Sequence, residues 1–120
     1  MVIVGSGFPV SNAIQAAIEL KESDNLNVRV VNVINIKSLD AGFANRTLKH
    51  NKPVLTVYNG NQFVLRAAVA TAVMDGSLRI PSKIVGYGFN MGTSGAVKYL
   101  IRKYRLDTQG IAELVKKTLR

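Results

Sequence analysis

The sequence predicts an α/β protein: an open three-layer α/β/α sandwich around a mostly parallel sheet of about five strands. Three observations carry that expectation. Short β-branched runs alternate with amphipathic helical stretches along the whole chain, which calls for βαβ units with helices on both faces of the sheet. The run Asn27 to Ile34 is almost continuously apolar, the pattern of a strand covered on both sides. At 120 residues the chain is too short for a closed barrel, which needs about 250 residues, so the sheet stays open and residues 1–120 form a single domain.

The elements follow in order. Val2 to Val4 is a first strand leading into the turn Gly5-Ser6-Gly7. Val10, Ala13, Ile14, Ala17 and Ile18 then recur at helical spacing, with Pro9 suited to the first turn, where a missing N–H costs nothing. This helix is expected from Pro9 to about Lys21, stopped by Ser23-Asp24-Asn25. Asn27 to Ile34 is the second strand, and Asp40 is placed to cap a short helix over residues 41–50 with Phe43, Ala44 and Leu48 apolar. Val54 to Tyr58 reads as the third strand. After the loop at Asn59-Gly60-Asn61 a helix over residues 63–74 sets Phe63, Ala67, Ala70 and Val73 or Met74 in register. Ile84 to Gly88 is the fourth strand; Thr93 or Ser94 caps a helix reaching Tyr104, and Asp107 caps a last helix that turns Ile111, Leu114, Val115 and Leu119 to the core.

Composition removes several function classes. There is no cysteine, hence no disulfide, thiolate metal site or cysteine nucleophile, and His50 is the single histidine, so no histidine cluster can form within one chain. No apolar run approaches the roughly 20 residues that span a bilayer, and the expected location is cytoplasmic, with no membrane association. The formal charge is +9. Much of the positive bias lies at helix ends: Arg102, Lys103 and Arg105 near one, Lys116, Lys117 and Arg120 near another, where cations answer the helix dipole. The aromatic residues fall on helix faces and strand ends instead of interleaving with cations on one sheet face, which argues against a nucleic-acid platform.

Two glycine-rich passages from strand to helix are candidate anion-binding turns: Gly5, Ser6 and Gly7, and Gly92, Thr93, Ser94 and Gly95. The first lacks the third glycine of a dinucleotide fingerprint, since Val10 stands there, and Pro9 removes a donor. The second lacks the lysine of a phosphate-binding loop, and Ser94 has no base or acid in its local sequence. For both, a tight turn leading into a helix is the favoured reading. No residue is assigned a catalytic, cofactor-binding or metal-binding role.

In order along the chain, five segments resemble the C-terminal domain of transketolase-like, thiamine-diphosphate-dependent enzymes, shared by transketolases, deoxyxylulose-phosphate synthases and 2-oxoacid dehydrogenase beta subunits. Gly5 to Val10 with Ala13, Ala16, Ala17 and Leu20 is similar to the family's opening turn and alanine-rich helix. Val28 to Val33 followed by Ile36 to Asp40 resembles its second strand and lysine-proline-leucine-aspartate signature, with Ser38 replacing proline. Thr56-Val57, the helix containing Phe63, Ala67, Ala68 and Val69, and Gly92 to Ile111 complete the likeness. The chain departs from the family at Tyr58, where an acid is usual, at Asn61-Gln62 and Val64-Leu65, where glycines are usual, and at Met91, where an aromatic residue is common.

The resemblance implies a non-catalytic domain or small subunit of a ketol-transferring enzyme. Its partners would be a catalytic thiamine-diphosphate-binding domain or subunit and further copies of itself in a homo-oligomer, with a regulatory ligand as a further expectation. Thiamine diphosphate and magnesium would be held by the parent enzyme and not by this chain, which has no Gly-Asp-Gly with a downstream asparagine. Alternatives are the equivalent domain of a 2-oxoacid:ferredoxin oxidoreductase or 2-oxoacid dehydrogenase and, from another class, a stand-alone phosphate- or nucleotide-binding module.

Overall fold

A computed structural model of the chain describes residues 1–48, 52–76, 81–89 and 97–120. The strands are β1 (Val2–Ser6), β2 (Arg29–Asn32), β3 (Val54–Asn61) and β4 (Ile84–Phe89), and the helices are α1 (Pro9–Asp24), α2 (Ala41–Thr47), α3 (Gln62–Gly76), α4 (Val97–Lys103) and α5 (Thr108–Leu119). Among the described residues the sheet has four strands, in the order β2-β1-β3-β4, all parallel.

Alternation along each strand sends side chains to two separate cores. Ile3, Leu55 and Val57 pack with Ala13, Ala16 and Leu20 of α1 and with Ile111, Leu114 and Val115 of α5. Val4 and Val54 pack on the other face with Ala44 of α2 and with Leu65, Val69, Ala72 and Val73 of α3. These are the three predicted layers. The end of β4 is tied to the first layer by rings: Phe8 stacks on Phe89 at 5.4 Å between centroids, and Phe89 meets Tyr104 edge-on at 5.7 Å.

Local chemistry sets the helix ends. Asp40 accepts a hydrogen bond from the Phe43 amide at 2.8 Å, and Asp107 accepts one from the Gly110 amide at 2.9 Å, as the sequence predicts for both caps. Helix α1 runs to Asp24, three residues beyond the expected stop, and ends on Asn25 in the left-handed conformation, with the Leu26 amide bonded back to the Leu20 carbonyl. Helix α2 stops at Thr47, short of the expected end, and His50 lies outside the described residues.

Four expectations about buried faces need correction. In α1 the buried stripe is Val10, Ala13, Ala16 and Leu20, while Ile14 and Ile18 are each 48% exposed. In α3 it is Leu65, Val69, Ala72 and Val73, whereas Phe63 and Met74 are 56% and 69% exposed. Both helices carry apolar residues on more than one face, so helical spacing alone allows several stripes and packing chooses one. Strand β2 is shorter than the apolar run around it and lies at the sheet edge; its residues are exposed or half-buried, so it is not covered on both faces as expected. Leu119, the last residue of α5, is also exposed.

Candidate functional site

The chain steps from β1 outward to β2, then returns across β1 to β3 and on to β4, so the strand order reverses between β1 and β3. In open parallel sheets the crevice outside the carboxyl ends of the strands at such a reversal is where ligands bind. Gly5, Ser6 and Gly7 sit there, at the end of β1. Ser6 and Gly7 border a cleft of about 580 Å³ whose other walls include Asn32 at the end of β2, Lys37 beyond it, and Tyr58 and Asn59 of β3.

Each of the three residues answers a packing demand. A Cβ on Gly5 would come within 3.0 Å of Val10 Cγ2 and 3.2 Å of Val57 Cγ2, so its absence lets α1 lie close to the sheet. Its carbonyl accepts from the Val33 amide at 2.8 Å, extending the β1–β2 ladder by one step. Ser6 is buried. Gly7 has φ of +81°, and the Asn59 side chain occupies the space a Cβ would need.

Donors for an anion are few at this turn. Pro9 has no N–H, the Val10 amide bonds the Gly7 carbonyl at 3.3 Å, and the Ser11 hydroxyl is turned to the Phe8 carbonyl at 3.2 Å. Lys37 supplies the cleft's positive charge, on a 3-10 turn at Ile36–Ser38 whose first amide bonds are taken by Asn35: the Lys37 amide bonds its side chain at 3.0 Å. Among the described residues the lining contains neither a histidine nor a carboxylate. The arrangement can hold a small polar or anionic group. Gly92, Thr93, Ser94 and Gly95 lie outside the described residues.

Sequence reading found the β1 turn but not its companions Asn32, Lys37 and Asn59. The signal for them is positional, because each follows or ends a strand, yet it becomes usable only once the strand order is known. The neighbouring glycines of β4 serve packing too. A Cβ on Gly86 would lie 2.8 Å from the Gln62 carbonyl oxygen, and one on Gly88 would overlap the Gly60 carbonyl, so these positions seat the start of α3 against the sheet.

Among the described residues no group of three or more His, Cys, Asp or Glu side chains converges. Nor is any described helix long and apolar enough to cross a membrane.

Comparison with known proteins agrees with this architecture. Residues 1–111 match the family described as transketolase, C-terminal domain. The chain is 28% identical over 128 aligned positions to a 1-deoxy-D-xylulose-5-phosphate synthase from Geobacillus sp. (strain WCH70), an alignment covering 97% of this chain and 19% of that protein. Among solved structures, a split-gene transketolase described as an inactive beta4 tetramer superposes with a TM-score of 0.79 at 27% identity, covering 98% of this chain and 37% of the other. A transketolase mutant from Pichia stipitis gives 0.64 at 21% identity, over 98% of this chain and 16% of its own, and shows the shared fold. This chain thus spans only a minor part of each relative's length. By its sequence match and by the parallel four-strand sheet with helices on both faces, it belongs to the transketolase C-terminal domain family.

Proposed function

We propose that this chain is a non-catalytic assembly unit, either a domain or a small subunit, of a thiamine-diphosphate-dependent transketolase-type enzyme that transfers ketol groups. The observation that carries the reading is the outward face of α3. Phe63, Val64 and Met74 are exposed there together with Ala67 and Thr71, on a helix whose charged residues are Arg66 and Asp75 alone. A large apolar stripe left in water is costly, and covering it is the ordinary reason such a stripe exists. The reading is supported by the described residues holding no group of three or more His, Cys, Asp or Glu side chains that could bind a metal ion.

Two arrangements satisfy this role: packing on the thiamine-diphosphate-binding part of the enzyme, and packing on a second copy. Affinity capture with this chain from its source cell is expected to recover a thiamine-enzyme subunit or to show the chain as part of one. Titration calorimetry with thiamine diphosphate and magnesium is expected to show no binding to the isolated chain. Submicromolar affinity in that titration would overturn the proposal.

A second reading rests on Lys37 beside Gly7 in the switch-point cleft, which favours a phosphate-sensing module. A thermal-shift screen of sugar phosphates and nucleotides separates the two, since a ligand that binds only the folded state raises the melting temperature.

A further inference from the structure

The end of the sheet opposite the switch-point cleft holds a different cavity, of about 440 Å³, bounded by the amino ends of β1, β2 and β3. Its walls are mostly apolar. Val2 and Val54 come from the strands, Ala17 from α1, Leu26 and Val28 from the segment before β2, and Leu48 from the end of α2. Three cationic side chains, Lys21, Arg29 and Lys52, line it together with the amino group of Met1, and among the described residues no carboxylate does.

That charge is uncompensated. Lys21 donates to the neutral side chain of Asn25 at 2.9 Å, and the ion pair found among the described residues, Lys116 with Asp24, involves none of the three. Two backbone donors at this edge are already used: the Arg29 amide bonds the Met1 carbonyl at 3.1 Å, and the Val54 amide bonds the Lys83 carbonyl at 2.9 Å. A ligand's charge would therefore be met mainly by the cationic side chains and the Met1 amino group. Arg29 and Lys52 are both exposed, so their charged groups reach solvent while the apolar walls lie behind them.

An apolar hollow with a purely cationic margin is complementary to one kind of molecule, and the volume falls in the range of about 300–1,000 Å³ usual for small-molecule sites. We propose that this cavity binds an amphipathic anion: a hydrocarbon body against Ala17, Leu26, Val28 and Leu48, with a single carboxylate or phosphate head at the margin formed by Lys21, Arg29 and Lys52. The site is separate from the α3 face and from the switch-point cleft. Its failure would leave the assembly reading untouched, because that reading is tested by capture of a partner and not by small-molecule binding.

The test uses the whole chain, isotope-labelled, with octanoate, octyl phosphate, octanol and inorganic phosphate as separate probes in amide NMR titrations. Both anionic amphiphiles are expected to shift the amides of Val2, Ala17, Leu26, Val28 and Thr47, while octanol and inorganic phosphate each bind at least about tenfold more weakly, the loss expected when a charge-assisted contact or the apolar contact is missing. The pair Arg29→Glu and Lys52→Glu is expected to weaken both anions by about tenfold or more, the scale of a lost charge-assisted contact, and to leave octanol unchanged. Lys52→Glu alone, at an exposed position outside helix and strand, is expected to act in the same direction with a smaller loss. A Lys37→Glu control at the other cleft should change nothing. The proposal is overturned if neither amphiphile shifts these amides at millimolar concentration, if octanol matches octanoate, if inorganic phosphate matches octyl phosphate, or if the shifts map to Ser6, Gly7 and Asn59.

Discussion

Thr56 sits at the centre of β3, fully buried, and its hydroxyl has no hydrogen-bond partner among the described residues. It pairs with Val4 across the ladder, in a layer whose other members are aliphatic. An unsatisfied hydroxyl costs the folded state its lost hydration, and valine has nearly the same shape. Thr56→Val is expected to stabilise the chain by about 1 kcal/mol in urea denaturation, with the slope unchanged; a loss of stability would show that the hydroxyl has a partner. Gly88 makes the opposite case. Its missing Cβ leaves room for Gly60 and for the Gln62 backbone, whose nitrogen would lie 2.9 Å from the added carbon. Backbone cannot swing aside as a side chain can, so Gly88→Ala is expected to destabilise by on the order of 2 kcal/mol, read in the same denaturation. The glycine was visible in the sequence as the end of a strand; that it seats α3 was not, because the atoms it makes room for are some 26 residues away.

At the scale of elements, caps were legible and faces were not. Asp40 and Asp107 act over three residues, a distance within which sequence determines geometry, and both do what their positions predict. Asp107→Ala is expected to cost about 1 kcal/mol and to lower the melting temperature, with the loss recovered by Asp107→Ser. The buried stripes of α1 and α3 depend instead on which side the sheet lies. Small alanines, not the large Ile14 and Ile18, were chosen to face it, since Ala13 and Ala16 let α1 approach β1 closely. Helices α1 and α5 are also joined at the surface by Lys116 and Asp24, 3.3 Å apart. The Asp24 carboxyl titrates below its ordinary value of 3.8, first because the Ser23 hydroxyl donates to it and then because Lys116 does. A carboxyl with a depressed folded-state pKa stabilises above its unfolded value and loses that contribution as pH falls through the folded one. The expected outcome is that Lys116→Ala reduces stability slightly at neutral pH and that its difference from the parent chain shrinks below pH 3.8. Thermal melts at the two pH values check the sign.

For the whole molecule, the exposed faces decide what it can join. The stripe of Phe63, Val64 and Met74 is apolar on a chain of formal charge +9, and a charge-poor surface is where strongly cationic molecules can meet without repulsion. Phe63→Asp with Met74→Lys is expected to leave helix content intact and to abolish or weaken association, whether with a second copy or with the catalytic part of the enzyme. Light scattering reads the first and co-purification the second; unchanged association in both would move the assembly surface elsewhere. The sequence by itself determined the layer architecture, the order of strands and helices along the chain, both aspartate caps and the family, because these rest on local periodicity, short-range hydrogen bonding and motif order. Tertiary structure alone decided the edge position of β2, the choice of buried stripes, the pairing of Gly7 with Asn59 and the cationic cavity at the amino edge of the sheet. Each of those is a meeting of segments far apart in the chain, and strand order, which sets every such meeting, leaves no mark in the local pattern of residues.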